Sequence, residues 1–380
     1  MKQNKNILKN PGVQSLLTSL LCILLGLFIG YLVLLLINPT GAWGAITNVM
    51  KNFLTYSSAK AQLKYLGNTL VRTAPLLMCS LSVLFVYKVG LFNIGAPGQY
   101  VAGACACLYA ALYLHWHWLP CMLLAIAAGA LLGVISGLLK SSFNVSEVIS
   151  GIMLNWIALY TTNMLLTNVK EATSPYTYQL KAEGPQAILP QISLSKLLSG
   201  NQYVTIAIPI AIVCAVVIWV VLSKTLFGYE LKATGNNPNA AKYCGMAEKR
   251  NIILTLAIGG ALAGLGASLL YQTGYEQWQC TYSSVPSMGF NGIAAAFLGG
   301  LSPIGSIFAS FFIQHITAGG AYVDKSLYCS QISDLISAII IYLCSFVLFF
   351  KTVLSSWIAR HEEKKARKAA QAAGKGGEQA

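Results

Sequence analysis

Gly289-Phe-Asn-Gly-Ile-Ala-Ala-Ala-Phe-Leu-Gly-Gly-Leu-Ser-Pro-Ile-Gly-Ser306, running on to Gln314, is apolar enough for a membrane interior, yet Gly299, Gly300 and Pro303 cut it in two. Neither piece reaches the roughly 20 residues that a helix needs to cross the hydrocarbon. Interrupted backbone at that depth is tolerated only where protein or a water-filled cavity covers its polar groups. A comparable interruption, Gly90-Leu-Phe-Asn-Ile-Gly-Ala-Pro-Gly-Gln99, lies in the first half of the chain. Phe92-Asn93 and Phe290-Asn291 hold similar positions in the two halves, and their segments are separated by an odd number of crossings. The halves are therefore expected to be inverted repeats, and paired broken segments in such repeats mark a route across the membrane.

Working outward, the composition supports the same class. Hydrophobic residues make up 56% and charged residues 9% of the 380, with a mean hydropathy of +0.63. Water-soluble domains carry about a quarter charged residues, so a soluble fold is excluded. Apolar segments fall at about 15–37, 68–87, 93–114, 119–139, 146–167, 203–223, 251–272, 290–300, 304–318 and 332–350. The expected fold is thus an all-α polytopic membrane protein of about ten segments, two of them short. The run Leu16 to Ile37 is longer than a signal-peptide core and lacks a small-residue cleavage site where one is needed, so it is expected to remain as the first helix.

The net charge of +14 is a topology signal. Its lysines and arginines sit at the chain ends and in short connections, which argues against nucleic acid as a partner and for basic residues facing the cytoplasm. The expected organisation is a cytoplasmic N-terminus over 1–14, a membrane domain over 15–352 in contact with lipid, and a basic cytoplasmic tail over 353–380. Outside, residues 38–66 are expected to hold an interfacial helix and 168–202 an irregular but ordered loop. Inside, 224–250 is the longest connection. Within it Glu230-Leu-Lys-Ala favours a helix and Gly235-Asn-Asn-Pro a turn, and Asn239 is expected to cap a short helix over 240–244 that Gly245 stops.

The segment Gly228-x-x-Leu231-x-Ala233-x-Gly235-x-Asn237-x-x-Ala240-Ala241-x-x-x-Gly245 resembles the cytoplasmic loop of bacterial ATP-binding-cassette (ABC) importer permeases of the ribose, branched-chain amino acid and nucleoside group. Leu91-Phe-Asn-Ile-Gly-Ala-Pro-Gly-Gln99 and Glu147-Val-Ile-Ser-Gly-Ile-Met-Leu-Asn155 are similar to the nucleoside, guanosine-type permeases within it. The sequence departs from that pattern at Pro97, where members often carry an acidic residue, and at Gly151, where they often carry Thr. The resemblance implies an importer subunit in the bacterial cytoplasmic membrane. Its loop, through Leu231, Ala233, Gly235, Asn237, Ala240, Ala241 and Gly245, would dock on a separate ABC ATPase. A second, paralogous permease and an extracellular solute-binding lipoprotein would complete the assembly. No GxxxxGK[ST] phosphate loop occurs, so ATP would be bound by the partner subunit and this chain would be neither an enzyme nor a cofactor protein.

For the solute, the interior offers amides and rings: Phe92, Asn93 and Gln99 in the first broken segment, Asn155 and Trp156 in the fifth, Phe290 and Asn291 in the second broken segment. A nucleoside suits such groups, through hydrogen bonds to its edges and stacking on its ring. Interhelical hydrogen bonding is the other role open to these residues. The alternatives are an ABC permease for simple sugars and an ion-coupled carrier, which would normally show more buried acids. Glu147 and Asp334 begin helices, where a carboxylate complements the positive end. Arg72 is expected to snorkel from the outer end of the second helix. His115-Trp-His-Trp118 reads as an interfacial aromatic belt and not a metal site, and a disulfide between Cys280 and Cys329 remains open.

Overall fold

The computed structural model describes residues 11–324 and, beyond them, 326–328, 335–336, 338–339, 342–343, 346, 349–350, 352–353, 355–357 and 360. The segment 332–350 is described only at isolated positions. Cys329, Asp334, the first ten residues and the tail beyond Arg360 lie outside the described residues, and the expectations about them with it.

The first half contains α1 (Pro11–Ile37), α2 (Ala42–Lys51), α3 (Ala59–Tyr87), α4 (Ala96–Leu112), α5 (Trp118–Phe143) and α6 (Glu147–Leu166). Two one-turn helices, α7 (Leu180–Glu183) and α8 (Leu194–Leu197), stiffen the long connection that follows. Then come α9 (Ala207–Lys224), α10 (Leu226–Asn236), α11 (Pro238–Tyr243), α12 (Glu248–Tyr271), α13 (Met288–Leu298) and α14 (Pro303–Gly319). Among the described residues, seven helical stretches are long and apolar enough to cross a membrane, and α13 is a shorter apolar helix. The protein is an all-α polytopic membrane protein.

α3 starts nine residues before the apolar segment that predicts it, because Lys60, Lys64 and Asn68 continue the helix on polar residues. Arg72 is consequently not at a helix end. It forms an ion pair with Glu276, in the α12–α13 connection, and lies 5.3 Å above the ring of Tyr275. The expected snorkelling is replaced by this tether, which offsets the cost of placing a guanidinium in a largely apolar protein. α2 supplies a helix in the 38–66 region, with Ala42, Ala45, Ile46 and Val49 turned inward and Trp43 outward.

α5 lies along α12 at backbone contact. A Cβ at Gly133 would run into the Leu256 carbonyl oxygen and one at Gly129 into that of Gly260, while one at Gly137 would sit 2.8 Å from the Ile253 Cα. The four-residue spacing of these glycines places all three on one face of α5. Gly264 of α12 extends the seam to α4, where a Cβ on Gly103 would lie 2.5 Å from its Cα. In hydrocarbon, where burying apolar surface gains little, such close approach is what lets helices associate.

At the end of the molecule opposite α10 and α11, the two long connections hold each other. Thr177 N–H donates to the Trp278 carbonyl (2.9 Å), and the Trp278 indole N–H donates to Asn163 Oδ1 on α6 (3.0 Å). Asn163 in turn donates to the Tyr282 carbonyl (2.9 Å). Trp118, from the His-Trp cluster, begins α5, and its carbonyl accepts from Gln272 (2.9 Å).

Candidate functional site

Helix α3 ends in a tight turn, with Lys88, Val89 and Gly90 donating to Phe85, Val86 and Tyr87. Gly90 takes φ +75°, which a side chain would resist. The chain then crosses to α4 through Leu91–Gly95, and three expected solute residues meet there. Asn93 Nδ2 donates to Ser82 Oγ on α3 (2.9 Å) and to Gln99 Oε1 on α4 (2.9 Å). Asn155 of α6 accepts from the Gly98 N–H (2.7 Å) and donates to the Ile94 carbonyl (3.0 Å). All three amides are buried; Asn155 replaces backbone bonds that the break gives up, while Asn93 and Gln99 pair side chain to side chain. Gly98 has to be glycine, since its Cβ would lie 2.5 Å from Asn155 Oδ1.

The second break is adjacent. A Cβ on Gly289, at the start of α13, would lie 2.5 Å from the Pro97 Cα, so the two interrupted segments touch where α13 meets α4. Both departures from the family pattern sit at such approaches. A Cβ on Gly151 would lie 2.9 Å from the Gly95 nitrogen, so a threonine there needs a differently placed break. The remaining candidates are turned elsewhere: Phe92 and Asn291 are half-buried, and Phe290 on α13 and Trp156 on α6 are exposed. The structure therefore brings Asn93, Gln99 and Asn155 to the first break, as a Ser82–Asn93–Gln99 network beside the two backbone bonds of Asn155, and leaves the aromatic candidates outside both. Sequence reasoning missed Ser82, an acceptor at the heart of the network, and Tyr160, whose ring stacks on Trp156. The four-residue spacing of Trp156 and Tyr160 was the available signal.

The 224–250 connection folds as α10 and α11. Thr225 caps α10, accepting from Gly228 N (3.1 Å). The cap of α11 is Asn237, which accepts from Ala240 N (3.0 Å), and not the expected Asn239. Pro238 explains the difference: its fixed φ suits the first helical position, which sets the cap at Asn237, two residues earlier than expected. Gly235 and Asn236 close α10 instead of forming the turn. Gly245 does stop α11, at φ +79°, with Gly245 N–H bonded to Lys242 and Met246 N–H to Ala241.

One face of this pair is seated. Leu231 is fully buried among residues of α3, α9 and α12. Thr234 Oγ1 accepts from Asn251 of α12 (3.2 Å), Ala241 is buried and Ala233 half-buried. A Cβ on Gly235 would collide with the Lys88 carbonyl oxygen and lie 2.9 Å from the Val89 carbonyl carbon. α10 thus rests on the backbone that opens the first break. Beside it the Lys88 ammonium is pulled below its ordinary range, by burial first and then by the charge of Lys232. Leu226, Tyr229 and Tyr243 on the other face are exposed, Tyr243 at 93%, and Ala240 and Asn237 are exposed with them.

Comparisons with known proteins agree with this geometry. Residues 65–345 match the family described as branched-chain amino acid transport system, permease component. The nucleoside ABC transporter permease protein NupB of Lactococcus lactis subsp. cremoris is 31% identical over 98% of this chain and 100% of its own length. The guanosine ABC transporter permease protein NupP of Bacillus subtilis is 33% identical over 86% of this chain and 92% of its own. The glucose ABC transporter permease protein TsgB13 of Haloferax volcanii is 28% identical over 88% of each. No solved structure matches. With a match spanning most of the membrane helices and near-full-length relatives above 30% identity, the chain belongs to this family of permease components, which are transport subunits and not enzymes.

Proposed function

We propose that this chain is the permease subunit of an ATP-driven importer for nucleosides, and that α10 and α11 receive the stroke of a separate ATPase. The observation that carries the reading is the seat of Gly235 on Lys88 and Val89. A partner pressing on the exposed side of α10 and α11 would push directly on the turn that opens the first broken segment. The basic residues Lys88, Lys140, Lys224, Lys249 and Arg250 cluster toward this end, which supports reading it as the cytoplasmic one by the positive-inside rule, with both termini inside as part of the same proposal. Two of the relatives are named for nucleosides or guanosine, and their match to the chain is stronger than that of the relative named for glucose. A second permease, paralogous to this one, and an extracellular solute-binding lipoprotein complete the assembly in this reading, with ATP held by the ATPase alone.

The test is uptake into vesicles by the reconstituted complex, offered labelled guanosine, uridine or glucose with and without ATP. ATP-dependent accumulation of a nucleoside is expected. Accumulation with the ATPase left out would overturn the coupling, and accumulation of glucose alone would overturn the solute. Gly235→Val is expected to lower ATP-driven uptake at least tenfold while the complex still assembles, because it forces α10 off the Lys88 carbonyl.

A further inference from the structure

Helix α6 has two unlike faces. Gly151, Asn155, Ala158, Leu159 and Thr162 are buried toward α4. Met153, Trp156, Tyr160 and Met164, at helical spacing on the other side, are all exposed. Trp156 and Tyr160 stack at 6.0 Å between ring centroids and 23° between planes, so they present one continuous aromatic surface.

Their depth is the unusual feature. Glu147 starts α6, so at 1.5 Å per residue Trp156 stands about 14 Å and Tyr160 about 20 Å along it. For a core of about 30 Å, Trp156 is then at mid-hydrocarbon and Tyr160 still about 10 Å inside the far edge. Trp and Tyr that face lipid collect at the headgroup level, where the indole N–H and the phenol O–H find water. At mid-depth against acyl chains those two groups would have no partner, at a cost of roughly 2 kcal/mol or more each.

The other exposed spans behave as lipid-facing helices should. α5 exposes Leu119, Leu123, Leu124, Leu131 and Leu138, and α9 exposes Ile212, Val213, Val216 and Val217, with Trp219 five residues from its Lys224 end. Among these three, only α6 carries a polar-tipped ring, Trp156, at the middle of its span, with Tyr160 stacked on it one turn further along.

We infer that this face of α6 lines the solute route, and that Trp156 and Tyr160 form a stacking platform for a flat heteroaromatic ring. The identity of that ring as a nucleobase rests on the function proposed above. The phenol and indole groups then bond to water in the route, and the thioethers of Met153 and Met164 border the platform with soft, adaptable contacts. Position favours this as well. Asn155, next to Trp156, is bonded to both Ile94 and Gly98, and the same broken segment begins at the turn on which Gly235 rests. A displacement of α10 therefore has a continuous packed path to the platform.

The experiment uses the complete complex in vesicles, bearing Tyr160→Cys or, as the lipid-facing control, Val217→Cys on α9, with the unsubstituted complex as background for the native cysteines. A charged, membrane-impermeant methanethiosulfonate is expected to modify Tyr160→Cys at least tenfold faster than Val217→Cys. Guanosine, but not glucose, is expected to slow that reaction severalfold. Equal inertness of both cysteines to the charged reagent would overturn the wetted route. Modification unaffected by guanosine, in a complex whose wild-type form imports guanosine, would overturn the platform.

A second variant pair reads stacking itself. Trp156→Phe is expected to keep uptake within about threefold of wild type, and Trp156→Leu to lower it tenfold or more with ATP hydrolysis retained. Equal uptake by the two would refute the platform. A wild-type complex that imports glucose and no nucleoside would instead remove the nucleobase assignment, while the reaction of Tyr160→Cys would still decide whether the face is wet.

Discussion

The two interrupted segments touch at Gly289 and Pro97, yet they satisfy their broken backbone by different means. The first is closed by side chains: Asn155 bonds to the Gly98 N–H and the Ile94 carbonyl, and Asn93 bridges Ser82 and Gln99. The second is closed by main-chain bonds at the end of α13. Gly300 N–H bonds to Phe297 and Leu301 N–H to Ala296, the paired pattern of a helix end with a left-handed residue, and Gly300 and Leu301 take φ +65° and +54°. Ser302 then opens α14 without a side-chain cap bond. A joint built from amides can exchange its partners, whereas one built from φ values and close backbone contact holds one shape. The joint that α10 bears upon is the exchangeable one.

The largest effect is expected at the rigid joint. A Cβ on Gly305 would collide with the Gly299 carbonyl oxygen, and no rotamer relieves a clash made at Cβ. Gly305→Val should cost more than about 3 kcal/mol, the upper end for forced overpacking. Loss of a monodisperse peak in size-exclusion chromatography of the detergent-extracted complex would be its sign. If that variant were as stable as wild type, the second break would be pliable and the contrast with the first would disappear.

Next comes Asn155→Ala, which leaves the Gly98 N–H and the Ile94 carbonyl unpaired in a buried place. At about 1–3 kcal/mol for each orphaned group, a loss of roughly 2–5 kcal/mol is expected in thermal or denaturant unfolding of the complex. Asn93→Ala, which removes two donated bonds between side chains but exposes no backbone group, should cost less, about 1–2 kcal/mol by the same measurement.

Much of this contrast was legible before the structure, and the rest was not for definable reasons. Gly299, Gly300 and Pro303 announce the second break, and Gly90 with Pro97 the first, because those residues punctuate helices whatever surrounds them. The amides were visible too, but which way they turn depends on α6 crossing α4 at Gly98, a contact between residues 57 positions apart. Buried bonding between helices and contact with solute draw on the same residue types, so type alone left both roles open. The start of α3 was missed because a helix that continues past the membrane surface loses its apolar signal there. The cap at Asn237 was decidable, since Pro238 belongs at the first helical position, and so was the α5 seam, from glycines at 129, 133 and 137.

Ser302→Ala should have the smallest effect and is the sharpest check on the contrast. Serine at a helix start ordinarily contributes about 1 kcal/mol by accepting from a backbone N–H two or three residues on. Here no such bond is made, and the first turn of α14 relies on Pro303 at its start and on the Ser306 N–H bonding to the Ser302 carbonyl (2.8 Å), which alanine supplies equally well. A change within about 0.5 kcal/mol in unfolding of the complex is therefore expected, with uptake unaltered. A loss near that of Asn93→Ala would mean that the Ser302 hydroxyl acts as the amides do, and the two joints would then share one way of closing their backbone.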